Sequence, residues 1–127
     1  MPKQIIESPN VPKPVGPYSQ AVKVGNFIFL SGQIPLDPKT GIKTAGGVET
    51  QTKRVMDNIK SVLEAAGANM SNIVKTTVFL RRIDDMKFMN DVYQKYFEKD
   101  FPVRSTVQVA DLPKSSDVEI ECVAYVE

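Results

Sequence analysis

The 127 residues suffice for one domain with a real hydrophobic core, and 42% hydrophobic against 24% charged residues is an ordinary globular balance. With 16 Lys and Arg against 15 Asp and Glu the net charge is +1, so no global field draws in nucleic acid or an anionic membrane. Histidine is absent and Cys122 is the only cysteine, which excludes Ser-His-Asp and Cys-His catalysis, an internal disulfide and a zinc site of the usual kind.

In chain order, residues 1–17 are proline-rich and read as extended or irregular, with room for a short first strand. The opening residues carry no secretion h-region and no Arg-rich amphipathic pattern, and no apolar run approaches the ~20 residues of a membrane span, so a cytoplasmic protein is expected. Residues 21–24 and 27–30 flank Gly25-Asn26, a two-residue hairpin signal that pairs Val24 with Phe27 and Val22 with Phe29. Residues 35–47 read as a polar loop or lid.

From 48 to 66 the apolar residues Val48, Val55, Ile59, Val62 and Leu63 recur at helical spacing, and Gly67 is a natural stop. A Val/Thr/Phe-rich strand follows over 73–80. Asp84 or Asp85 can cap a second helix whose apolar face carries Met86, Met89, Tyr93, Tyr96 and Phe97, and Pro102 bars its continuation. Strands over 104–110 and 118–126 close the chain. The order is β-β-α-β-α-β-β in a single domain, an α+β protein with a mixed sheet and two helices covering one face. In the last strand Val118, Ile120, Cys122, Ala124 and Val126 point to the helices, while Glu119, Glu121, Val123 and Tyr125 point away. A second face of that mixed character suits a subunit interface, so oligomerisation is expected.

Without GxGxxG, a Walker loop or histidine, chemistry must rest on Arg, Lys, Glu, Asp, Tyr, Ser or Thr with backbone groups and water. Arg104 starts a strand behind Phe101-Pro102-Val103 and shares a face with Thr106 and Gln108. If that strand pairs antiparallel with the last one, Glu119 and Glu121 join the same face. An Arg and a Glu on adjacent strands can bind a carboxylate and position a water; they can equally form a cross-strand ion pair. Tyr18, behind Gly16-Pro17, either packs or reaches a pocket. Ser31-Gly32 ends a strand, where Gly32 lets a ligand approach its N–H. Asn90 on the helical apolar face calls for a structural hydrogen bond to a loop or strand. Cys122 reads as inert core and Lys114 as a solvated loop charge.

The segment RSTVQVADLPK from Arg104 to Lys114, followed by VEIECVA from Val118, resembles the C-terminal signature of the Rid/YjgF family. GPYSQAV at Gly16, FLSGQIP at Phe29, the Asn90-Asp91-Val92-Tyr93 helix and Phe101-Pro102 match in family order through nearly the whole chain. The resemblance implies a chorismate-mutase-like α+β fold, a homotrimer with pockets at subunit interfaces, and no cofactor or metal. It implies hydrolysis of 2-aminoacrylate- and 2-aminocrotonate-type enamine/imine acids, released by pyridoxal-phosphate-dependent dehydratases, to 2-keto acids and ammonia. By resemblance Arg104 clamps the substrate carboxylate, Glu119 positions the attacking water, and Tyr18, Ser31 and Gly32 line the pocket. Thr106 stands where many relatives carry cysteine, so a thiol cannot be required, though Thr106 can still bind substrate. The competing readings are an endoribonuclease or translation inhibitor, for which near-neutral charge makes nucleic-acid binding an unfavoured expectation, and a non-catalytic metabolite-binding or chaperone-like module.

Overall fold

Gly25-Asn26 folds β2 (Ala21–Val24) onto β3 (Phe27–Gln33) in the register expected, Val24 opposite Phe27 and Val22 opposite Phe29. Gly25 sits at φ 58, the left-handed backbone that a tight hairpin turn asks of glycine. The structure, a computed structural model, describes residues 2–127. Within the proline-rich lead, β1 (Gln4–Ile6) adds antiparallel to the outer edge of β2.

Helix α1 (Val48–Ala65) buries Val55, Met56, Ile59, Val62 and Leu63 completely, and Gly67 at φ 78 turns the chain away at its end. Strand β4 (Ile73–Leu80) has the bounds read from its composition. Helix α2 (Met86–Tyr93) is entered through a 3-10 turn at Ile83–Asp85, and neither Asp84 nor Asp85 caps it as expected. Asp85 is already in right-handed helical backbone (φ −78, ψ −6), not the extended conformation from which a capping side chain reaches back. The Gln108 side chain accepts the Ile83 N–H at 2.9 Å instead. The last two strands are β5 (Val103–Gln108) and β6 (Val118–Tyr125).

The sheet order is β1-β2-β3-β6-β4-β5. Strands β3 and β4 both run antiparallel to β6, so they are parallel to each other with α1 as their crossover; β4 and β5 are parallel with α2 as theirs. Both crossovers step the same way across the sheet, and the right-handed rule puts both helices on one face. Expected cover and observed cover agree. Val118, Ile120, Cys122 and Ala124 of β6 are buried under the helices.

One pairing differs from the sequence reading. β5 does not pair with β6; it pairs in parallel with β4, from Lys75 opposite Val103 to Leu80 opposite Gln108, and forms the sheet edge. The connection from β5 to β6 passes over the end of β4, where Val109 N–H donates to Leu80 O and Arg81 N–H donates to Asp117 O. β6 thus lies between β3 and β4. The helix-free face exposes Phe27, Phe29, Val107 and Tyr125, with the Phe27 and Tyr125 rings edge-to-face at 5.1 Å. Among the described residues no helix is long and apolar enough to cross a membrane.

Candidate active site

The helix-free face carries the first candidate cavity. Strand β3 loses register with β6 between Leu30 and Gln33, and Ser31 and Gly32 lie in that irregularity. Ser31 is pinned there: its N–H donates to Gln20 O at 2.9 Å and its Oγ donates to Ser19 O at 2.6 Å. Gly32 has a packing reason to lack a side chain. A Cβ built on it would overlap the Glu119 carboxylate, whose carboxyl carbon would lie only 2.9 Å away. Tyr18, Ser31, Gly32, Lys114, Glu119 and Glu121 line one cavity of about 570 Å³, with Val11 and Ile34 among its apolar walls. Burial raises the Glu119 carboxyl above its ordinary value, and the neighbouring Glu121 charge pushes the same way. Among the described residues Glu119 forms no ion pair within the chain.

The second candidate cavity lies at the β5 edge, under α2. The Arg104 guanidinium stacks 4.9 Å from the centre of the Tyr93 ring, and the Tyr93 hydroxyl shares a 2.8 Å hydrogen bond with Thr76 Oγ1. Burial raises the Tyr93 pKa, with Thr76 and Arg104 opposing it, so the phenol stays neutral and the stack keeps its polarity. Arg104, Tyr93, Gln94, Phe101, Pro102 and Asn90 line a cavity of about 320 Å³. Tyr93 as the platform for Arg104 escaped the sequence reading, which placed it only on the apolar face. The missed signal is the α2 crossover itself, which sets that face over β5.

Two expectations change. Arg104 and Glu119 do not share a face: Thr76 is the partner of both Arg104 and Cys122 on the helix side, whereas Glu119 pairs with Phe79, opposite Val107, on the other side. With β4 between their strands, the two side chains project to opposite faces. Asn90 makes no structural tie through its carbonyl, since its buried Oδ1 has no hydrogen-bond partner; it lines the Arg104 cavity as an unmatched acceptor. Thr106 is half-buried on the face of Arg104 but lines neither cavity. Cys122 lies in the core as expected, its thiol pushed up to about 12 by burial and then by Glu121.

The family model described as "Endoribonuclease L-PSP" matches residues 8–126. Among solved structures, YyfA of Yersinia pestis, a protein of the conserved Rid family, superposes with a TM-score of 0.96 at 45% identity, over 98% of this chain and 100% of that one. This chain belongs to the Rid/YjgF family. Its Rid/YjgF relatives include the human 2-iminobutanoate/2-iminopropanoate deaminase, 45% identical over 122 residues that cover 96% of this chain and 89% of that one. Escherichia coli TdcF, solved with bound serine, is 40% identical with a TM-score of 0.93 over 98% and 99% of the two chains. The Rid/YjgF chain therefore carries a carboxylate of raised pKa on one sheet face and an aromatic-stacked guanidinium on the other, each in its own cavity.

Proposed function

We propose that this Rid/YjgF chain is a hydrolytic deaminase, converting 2-imino acids derived from 2-aminoacrylate and 2-aminocrotonate to 2-keto acids and ammonia, and that it works as a homotrimer with pockets between copies. The observation that carries the reading is the division of the site: Glu119 and Arg104 lie on opposite sheet faces, and the face of the first also exposes Phe27, Phe29, Val107 and Tyr125. Covering that face with the β5 edge of a second copy brings a guanidinium to a carboxylate, which neither copy does alone. The human relative's name and the serine bound to the TdcF relative support a small amino-acid-derived substrate.

In this reading Arg104 grips the substrate carboxylate with its planar fork, held by the Tyr93 ring. The imine nitrogen is protonated from solvent; Glu119, ionised, accepts a proton from the attacking water as the water oxygen bonds to the imine carbon, and then returns that proton to the carbinolamine nitrogen. As the hydroxyl proton passes to solvent the C=O bond forms, the C–N bond breaks, and ammonia leaves the keto acid. General-base help of this kind contributes on the order of 10²–10⁴-fold, enough for a substrate that water already attacks. Ser31, Gly32 and Tyr18 shape the wall against Glu119. Thr106, on the same face of β5 as Arg104, offers its hydroxyl to the ligand. The natural source of the substrate is pyridoxal-phosphate-dependent dehydratase chemistry in the same, cytoplasmic, compartment.

The test is a coupled assay in which a threonine dehydratase makes the enamine and keto acid is followed with the parent, Arg104→Ala or no added protein. Acceleration by the parent alone supports the deaminase and its clamp. An intact trimer that binds keto acid without exceeding the uncatalysed rate would leave a binding module. The family description also names an endoribonuclease; retarded RNA at physiological salt with micromolar protein would favour that reading, against the acidic Glu119 and Glu121 of the larger cavity.

A further inference from the structure

The connection between β5 and β6 holds two non-glycine residues in left-handed backbone, Lys114 at φ 56 and ψ 29 and Ser115 at φ 55. Residues with a Cβ adopt that conformation only when their surroundings impose it, and such strain collects at ligand clamps. Here three parts of the fold impose it. Gln51 of α1, almost wholly buried, accepts the Asp117 N–H at 2.8 Å and donates from Nε2 to Asp117 Oδ2 at 3.0 Å and to Gly46 O at 2.9 Å. Arg81, at the end of β4, donates to Ser115 O at 3.1 Å and lies 3.8 Å from Asp117 Oδ1. Lys43 donates to the same Ser115 carbonyl at 3.2 Å.

The strained turn puts Pro113 and Lys114 in the wall of the Glu119 cavity. Among the described residues Lys114 makes no ion pair. Glu119 and Glu121 face the same space and would repel a substrate carrying two negative charges unless a cation met the second one. Lys114 supplies it, with Lys13 of the proline-rich lead lining the same cavity. Val11 and Ile34 in the same wall offer apolar surface for intervening methylenes. We propose that Lys114 is a specificity-determining residue that binds the second, side-chain carboxylate of a dicarboxylic 2-imino acid. This rests on the deaminase reading above, in which Arg104 takes the first carboxylate. Gln51, through Asp117, is a positioning residue for that ammonium.

The experiment generates 2-iminosuccinate or 2-iminopropanoate in situ with amino-acid oxidases of matching specificity, using semicarbazide to trap what the protein does not hydrolyse. Parent, Lys114→Met and Gln51→Ala are compared after size-exclusion chromatography shows equal assembly. The parent hydrolyses both imines. Lys114→Met loses at least ten times more kcat/KM on 2-iminosuccinate than on 2-iminopropanoate, the difference lying in KM, and Gln51→Ala shows the same bias more weakly. A parent that hydrolyses 2-iminopropanoate but not 2-iminosuccinate overturns the proposal, as do equal losses on both imines in Lys114→Met. Hydrolysis of neither by the parent defeats the deaminase reading first, and this one with it.

Discussion

Glu119 and Gly32 make a single unit, because the carboxylate occupies the space a β-carbon at position 32 would take. Gly32→Ala therefore displaces Glu119 rather than merely crowding the ligand, and kcat should fall at least tenfold with the fold intact by circular dichroism. Undiminished kcat would show that the carboxylate does not act from its present place. The Glu119 pKa is raised by burial first and Glu121 second, so the acid form persists to higher pH than in an ordinary carboxylate. A base that must be ionised then gives activity that falls as pH drops through that raised value. Glu121→Gln removes one of the two causes and should shift the acidic limb of the kcat profile to lower pH. An unmoved limb would remove Glu119 as the titrating base. For stability the sign is the reverse: a carboxyl with a raised folded pKa favours folding below its unfolded value, and that contribution fades as pH rises through the folded one.

At the scale of elements, the hairpin register, the bounds of β4 and the position of α1 were legible because period and turn chemistry are local: Gly25-Asn26 and the recurrence of Val55, Ile59 and Val62 carry them. The neighbour of β5 was not legible. Alternation tells which residues of one strand share a face, but not which strand lies alongside, and the short connection to β6 imitates a hairpin while crossing the end of β4. For the same reason Arg104 and Glu119 could be named individually from the chain but not placed relative to each other. That crossing loop also contains its own prediction. Ser115 takes left-handed backbone, and the bonds from Lys43 and Arg81 reach its carbonyl, not its side chain. Ser115→Gly relieves the Cβ conflict, less glycine's extra unfolded-state entropy, for a net gain of about 0.5–1 kcal/mol. Urea unfolding followed by circular dichroism measures it; an unchanged or lowered midpoint would mean the turn is not strained.

For the whole molecule, the one-sided helix cover leaves Phe27, Phe29, Val107 and Tyr125 facing outward around the Glu119 side of the sheet, while Arg104 waits at the β5 edge on the other. The proposed trimer makes those two facts one: the face that needs covering and the charge that needs a partner are satisfied by the same contact. The deciding measurement is complementation between two inactive variants. Arg104→Ala and Glu119→Gln are each assayed alone for imine hydrolysis, then unfolded together in equal amounts, refolded and assayed again. If each site takes Arg104 from one copy and Glu119 from another, random assortment restores about a quarter of the parent activity, since half the copies supply each competent residue. If the mixture stays at the level of the separate variants, while the parent recovers its activity through the same unfolding and refolding, the two residues do not meet across subunits and the divided site is wrong.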